Sequence, residues 1–521
     1  MGWLLRVNRL YGPNERWTRS ATFAEAFQGG CLAEPTSIYQ ISRWETASVR
    51  APYLAIRRYE ELLDLPPHAL VALVDTIYRY DNSTGNALPL LTRAVDRAAA
   101  TARLDELVDK ASSSTAQMTG VEWDELTRRL AAAPEIVISP QRAWSDVAER
   151  LLSETIVADG IAWMQRYEAL SRLLAHPIGQ RAAIAACASL AEDRTNQVFV
   201  ETVSLLDASN HSDANRHVLH QLKHPTNERA QYGALLASVR KIRFGHFVAA
   251  EMPQLVAIID ELASDPNRQD DVQPLAAELL RRLPNTVSAP ARKRMRAIAG
   301  DLTVQQVLRV GRLADQETSQ RLVARLADIV VSMMPRDIPN FRDHALPVLL
   351  DEMLFSPVFD IRMQAAITVS GTPYRRPLAA GLAAELTRPT VLGATVAPYL
   401  IEALRLVGGA EQRPVIERLI IARGLPAPVT IASAQAIGHI GGRSENLFWR
   451  QALAHHAQLW LHTRRPANAA ALNGLTYGLG MARNRAVLHE LRADNRMPEQ
   501  VRAAATWWLS LPLAMYESAN Q

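Results

Sequence analysis

From about residue 139 onward, apolar residues recur at helical spacing in segments of about 12 to 18 residues, each closed by Pro, Gly or Asn. β-branched alternating runs are few. A strand repeats every two residues and a helix every 3.6, so this pattern leaves helices as the only building element over most of the chain. The chain therefore reads as all-α. With 521 residues, it is also too long for a single core and has to divide into domains or extend as a repeat array.

Self-comparison favours the array. His176-Pro177, Arg181-Ala182 and Ala186 return 48 positions later as His224-Pro225, Arg229-Ala230 and Ala234. Ala403-Leu404 and Val407-Gly408-Gly409 return 33 positions later as Ala436-Ile437 and Ile440-Gly441-Gly442. Asp360-Ile361-Arg362 before Ala365-Ala366 and Gln500-Val501-Arg502 before Ala504-Ala505 share a second pattern. Small alanines let paired helices approach, a Gly-Gly pair ends one and permits the turn, and stacked pairs bury each other's apolar faces. These segments resemble HEAT-type repeats. The resemblance implies a HEAT-like α-solenoid over residues 139–521, best formed from Ser356 onward and irregular around 265–301. Trp507 and Trp508 are expected to cap its last repeat.

The N-terminal segment has a different character. Ser37 is placed to cap a short helix in which Ile41 and Trp44 share one side and Tyr39, Gln40 and Arg43 occupy the rest. The run Ile41-Ser42-Arg43-Trp44-Glu45, followed by Arg50, Pro52 and an apolar series, resembles the third helix of the phage-repressor-like (XRE) helix-turn-helix family. The resemblance covers roughly residues 1–80. It implies a five-helix domain over 1–82, with helices near 3–11, 22–28 and 37–47 and two more after Pro52. The turn at 29–35 is longer than the family's, and Ile38 stands where a polar side chain is more usual. By the same resemblance Tyr39, Gln40 and Arg43 would meet base edges, and Ser37, Ser42, Arg6 and Arg50 would meet phosphate. Residues 83–138 would form a helical connector, with a turn-rich break at 81–85, a helix over 88–110 and a polar patch at 112–120.

Charge agrees with that placement. Residues 1–58 hold eight arginines (6, 9, 16, 19, 43, 50, 57 and 58) against four glutamates, whereas residues 59–82 carry five acids and only Arg79. The basic excess is thus confined to the part expected to meet phosphate. The net charge of the whole chain is only +4. Of its 57 basic residues just four are lysine (110, 223, 241 and 293), a bias expected of a GC-rich, actinobacterial genome.

Motifs of chemistry are largely missing. There is no Gly-Lys-Ser/Thr phosphate loop, no His-Glu-x-x-His, no Cys-x-x-Cys and no Gly-x-Ser-x-Gly. No enzyme activity, cofactor or metal is expected. His217, His220 and His224 fall on one helical face, where surface histidines in a repeat turn are the expected reading. Arg292-Lys293-Arg294 with Arg296 reads as a solvated helix face. Cys31 and Cys187 are too few for a disulfide framework, no apolar run approaches the ~18 residues of a membrane span, and Arg6 and Arg9 leave no room for a signal peptide. The expected location is cytoplasmic, on the nucleoid, with no membrane partner.

The expected function is that of a transcription regulator. The N-terminal domain would bind double-stranded operator DNA, and the solenoid would provide homodimerisation and recognise a protein, peptide or small-molecule effector. The alternative is a HEAT-repeat scaffold whose helix-turn-helix domain serves protein interaction.

Overall fold

The helical periodicity is realised across the described residues. The computed structural model describes residues 1–31, 35–81, 97–113, 115–264, 271–298, 302–339 and 341–521, and these form 30 α-helices and two 3₁₀ turns with no strand among the described residues. The fold is all-α. Residues 82–85 of the expected break, 88–96 of the connector, 32–34 of the long turn, Ser114 of the polar patch, and 265–270 and 299–301 of the irregular segment lie outside the described residues.

Near the N-terminus, α1 (Gly2–Tyr11), α2 (Ser20–Phe27), α3 (Ile38–Glu45), α4 (Tyr53–Leu62) and α5 (Ala69–Asp81) follow one another. The first three begin and end within two residues of the spans read from the sequence. Their apolar stripes supply a common core of Leu4, Leu5, Val7, Phe23, Phe27, Ile41, Trp44, Ile56 and Tyr59, each at most 4% exposed. Aromatic rings interlock at its centre: Phe23 lies 5.0 Å from Tyr59, and Phe27 lies 5.6 Å from Trp44. Edge and tilted contacts of this kind add about 0.5–1.5 kcal/mol per pair to the burial itself. Gly2 is required where α1 meets the end of α3, because a Cβ there would stand 2.7 Å from Trp44 O, Glu45 O and Ala47 N.

The chain divides into two compact units. The first comprises Met1–Arg194, Val198–Leu313 and Pro512–Gln521, and the second comprises Ala314–Leu511 with Thr195–Gln197. Within the first unit α5 is held by buried charge. Asp75 accepts from Arg128 and, at 2.9 Å, from Arg172. Asp124 accepts from Arg128 Nε at 2.8 Å, from Arg172 and from His68 Nδ1. Arg79 donates to both oxygens of Glu168, and Thr76 donates to the same carboxylate at 2.8 Å. Burial alone would raise the Asp124 carboxyl, but Arg128 and Arg172 hold it well below the usual carboxylate range. Glu60 of α4 accepts from the His68 and Val71 N–H groups at the start of α5. The last helix, Leu513–Ala519, returns to this unit: Arg166 donates to Ser518 O, and Ser518 Oγ donates to Glu154.

The His-Pro pairs found by self-comparison occupy equivalent places here. His176 and His224 are the C-caps of Gly160–Ala175 and Ser212–Lys223, and Pro177 and Pro225 follow where a helix cannot continue. Around 265–301 the described residues form two helices, Val272–Arg282 and Asn285–Ile298. Arg292 of the basic run is structural: it donates to Leu280 O, Arg281 O and Leu283 O and so caps the first of these helices. Arg294 pairs with Asp260.

In the second unit helices alternate between two layers. Ala427–Ala436 packs on Pro466–Met481, where a Cβ on Gly474 would stand 3.0 Å from Ala434, and one on Gly438 would stand 3.1 Å from the Gly478 Cα. In the other layer His456 Nε2 donates to Ile420 O at 2.9 Å, and Arg450 pairs with Glu490 at 2.8 Å. The Gly-Gly turns of successive pairs meet, since a Cβ on Gly441 would stand 3.1 Å from the Gly409 Cα. Arginines at helix starts hold the exposed carbonyls of a later helix end. Arg375 donates to Val407 O and Gly408 O, Arg413 to Ile440 O and Gly442 O, and Arg485 to Leu509 O. Each guanidinium satisfies acceptors that the helix itself leaves open. Arg362 joins Glu402 at 2.8 Å. Trp507 and Trp508 are both buried, and Trp508 lies over Gly480 with its ring 5.6 Å from that of Tyr477.

Candidate nucleic-acid interface

The candidate interface is built on α3. Ser37 sits in extended conformation at its N-cap, and the Ser37 Oγ accepts from the Gln40 N–H at 3.1 Å. This cap fixes the first turn and satisfies one of the donors a helix start leaves open. Ile41 and Trp44 then turn inward, 0% and 4% exposed, and the next residues are left outside. Ile38 is 50% exposed, Tyr39 is 70% exposed, Ser42 is exposed, and Gln40 and Arg43 are half-buried. Arg43 lies one turn beyond Tyr39, its Cζ 5.5 Å from the phenol ring centroid. Tyr39, Gln40, Ser42 and Arg43 thus share one short helix whose inward side is fixed by packing.

The two outlying residues are placed differently. Arg50 is exposed and its guanidinium lies 3.5 Å from the centre of the Tyr78 ring, while Tyr78 donates to Met1 Sδ. Arg50 is thereby anchored to α5 and to the start of α1. Arg6 is half-buried on α1. Ser37 spends its acceptor on the cap, which leaves its O–H as the group able to reach a ligand.

One residue of the motif has a role that the linear pattern concealed. Glu45, the last letter of Ile-Ser-Arg-Trp-Glu, points inward and receives Arg9 Nε at 2.6 Å, Arg9 Nη2 at 2.7 Å and Tyr59 O–H at 2.9 Å. Arg9 also donates to Trp17 O and Thr18 O. Burial would lower the Arg9 pKa, yet Glu45 raises it overall, and burial pushes the Tyr59 phenol far up. The group ties α1, α3 and α4 together through one carboxylate. Arg57 pairs with Glu60, and Arg58 pairs with Glu61 while donating to Ala26 O and Phe27 O at the end of α2. Three of the eight arginines counted in residues 1–58 therefore serve the fold, and the basic surface is smaller than the sequence count suggests.

Among the described residues no group of three or more His, Cys, Asp or Glu is placed to hold a metal ion. His220 and His224 have ring centroids 5.7 Å apart, and His211 caps the helix Ser212–Lys223 by accepting from the Asp213 N–H. No described helix is long and apolar enough to cross a membrane. No protein-family model matches this chain, and no curated protein compared with it matches either.

Proposed function

We propose that this chain is a sequence-specific regulator that binds double-stranded DNA through α3. The observation that carries the reading is the division of labour on that helix. Ile41 and Trp44 hold it from beneath, while Tyr39 and Gln40 stand outside at its capped N-terminal turn and Arg43 stands beyond them in its last turn. Gln suits adenine and Arg suits guanine through paired hydrogen bonds, and a helix fits the major groove. Ser42, the Ser37 hydroxyl, Arg6 and Arg50 are assigned to phosphate. A homodimer would place one α3 in each half-site of an inverted or direct repeat, and the helical array would receive a protein, peptide or small-molecule effector. The working location in this reading is the nucleoid.

Genome-wide immunoprecipitation of the full chain with its bound DNA tests the reading, with discrete promoter peaks as the expected result. On a site so identified, Gln40→Ala and Arg43→Ala should each cost about 1–3 kcal/mol and relax preference at particular base pairs. Arg6→Ala and Arg50→Ala should weaken all sequences alike and flatten the salt dependence. Uniform weakening by all four would show that α3 does not read bases.

One observation favours a second reading. Ile38 and Tyr39 are the most exposed large apolar side chains of the N-terminal helices, and Arg9, Arg57 and Arg58 are engaged inside the fold. An apolar, weakly basic helix start also suits a protein partner, as the scaffold reading requires. Diffuse or missing enrichment on chromatin would favour it.

A further inference from the structure

We propose that copies of this chain associate head to tail, a basic apolar tip on the second unit of one copy docking on an acidic apolar surface of the second unit of the next. This assignment does not rest on the DNA-binding reading, which concerns other residues.

The tip belongs to helix Asn446–Thr463. From Asn446 to His489 the sequence contains no Asp or Glu at all. The helix also outruns its neighbours in the layer. His456 bonds to Ile420 O, one residue short of the end of Arg413–Ile421, so seven further residues to Thr463, about 10 Å of helix, extend past that level. On its other side Arg450 pairs with Glu490, three residues before the end of Arg485–Ala493. The protruding turns expose Leu459 at 38% and Leu461 at 43%. Residues two apart point to nearly opposite sides of a helix, so apolar surface is presented on both flanks of the tip. Arg464 covers the Trp460 ring at 5.2 Å, and exposed Arg465 forms no ion pair among the described residues.

The complementary surface lies at the other end of the same unit. Helix Gln316–Ser332 ends in Val331, 56% exposed, and is followed by Met333, 52% exposed. Asp328 and Asp337 flank them, both exposed and neither in an ion pair among the described residues. From Asp328 to Asp343 the chain carries three aspartates (328, 337 and 343) against two arginines (336 and 342).

Charge selects the occupant. Two tips facing each other would set Arg464 and Arg465 against their own copies, which works against a two-fold pairing through this surface. The acidic surface offers the opposite charge and exposed apolar side chains to bury. Both surfaces stand open in a single copy, so the partner each fits is the other surface of a second copy. An interface joining two different patches is heterologous, and it builds a ring or an open chain rather than a closed dimer.

Sedimentation velocity of the full chain over a concentration series tests this. The expected result is a weight-average mass that rises above the 57.6 kDa monomer with concentration at low salt. The association should weaken at least about tenfold near 1 M salt, where the screening length falls to about 3 Å. Arg464→Glu with Arg465→Glu, and separately Asp328→Arg with Asp337→Arg, should each abolish that rise in mass with concentration. These side chains are exposed, so each variant is expected to keep the wild-type thermal unfolding curve. An equimolar mixture of the two variants should associate again, because the reversed tip fits the reversed surface. A mass that does not rise with concentration, a rise that neither variant alters, or a mixture of variants whose mass does not rise would overturn the proposal. Loss of association in the tip variant alone would likewise overturn it, since the acidic surface would then not be the occupant's site.

Discussion

Replacing Glu45 by Gln should loosen α1, α3 and α4 together, and the size of the effect follows from the hydrogen bonds around one carboxylate. Glu45 is 5% exposed at its side chain and accepts from two nitrogens of Arg9 and from Tyr59. Gln keeps the volume and one acceptor oxygen but turns an NH₂ group toward guanidinium donors. Two hydrogen bonds to a charged group are then lost or reversed, at roughly 1.5–3 kcal/mol each. Breaking a buried ion pair from one side costs about 3–5 kcal/mol by an independent route, because the remaining charge has no compensation. Arg9 cannot escape by losing its proton. The two estimates agree at about 3–5 kcal/mol, which corresponds to roughly a hundred- to a few-thousand-fold rise in the open population. Native-state hydrogen exchange resolved on peptides from Gly2–Tyr11 and Ile38–Glu45 reads this directly. Exchange in Glu45→Gln indistinguishable from the wild type would refute the reasoning. Arg9→Met combined with Glu45→Leu should recover most of the loss, since apolar replacement of both partners leaves no buried charge.

Gly2→Ala should cost about 1–3 kcal/mol, because its Cβ would meet backbone atoms of residues 44, 45 and 47 at 2.7 Å and force α1 away from α3; an unchanged thermal midpoint would contradict that contact. Ala436→Leu, at a position 1% exposed, should overpack the second unit by a similar amount and spread damage along the array, read as a lowered melting temperature. His456 is held neutral by burial with a pKa of about 4, against an unfolded value near 6.5. The unfolded chain binds the proton first, so this residue's contribution is complete above pH ~6.5 and is lost as pH falls toward 4, by up to about 3 kcal/mol. Urea midpoints at both ends of that window should differ more for the wild type than for His456→Gln.

Helix positions were legible because periodicity is a local property. The cap at Ser37, the inward pair Ile41 and Trp44, the His-Pro helix ends and the Gly-Gly turns each depend on neighbours within a few residues, and all stand where the pattern places them. Charge was much less legible. Arg9 and Arg43 look alike in the linear sequence, yet one is buried against a carboxylate 36 residues away and the other lies along an exposed tyrosine. Arg292 reads as part of a solvated basic run, and nothing in the linear pattern singles out Arg375, Arg413 or Arg485. Each in fact reaches backbone carbonyls at a helix end. No local signal separates a capping arginine from a surface one, because its acceptors carry no side-chain signature. Ile38 is the reverse case: an apolar letter that the helix start leaves outside.

The buried charges around α5 bear on how the N-terminal helices are held. A DNA-reading segment joined only by a flexible connector would move independently of the rest. Here Asp75, Arg79 and Thr76 of α5 are bonded to Arg172, Arg128 and Glu168, and Arg240 and Arg243 donate to the Arg79 and Tyr80 carbonyls at 2.7 Å. Ion pairs of this kind add little net stability compared with apolar packing, but each leaves an expensive unpaired charge if the geometry slips. They therefore fix α5 in one position against Gly160–Ala175 and Glu228–Arg243. Glu60 of α4 holds the start of α5 through the His68 N–H, and its sequence neighbour Tyr59 donates to Glu45 at the end of α3, so α4 links α5 to α3. If α3 reads DNA, the helices of the first unit that grip α5 have the most direct purchase on it, because displacing them moves α5 or strands its charges.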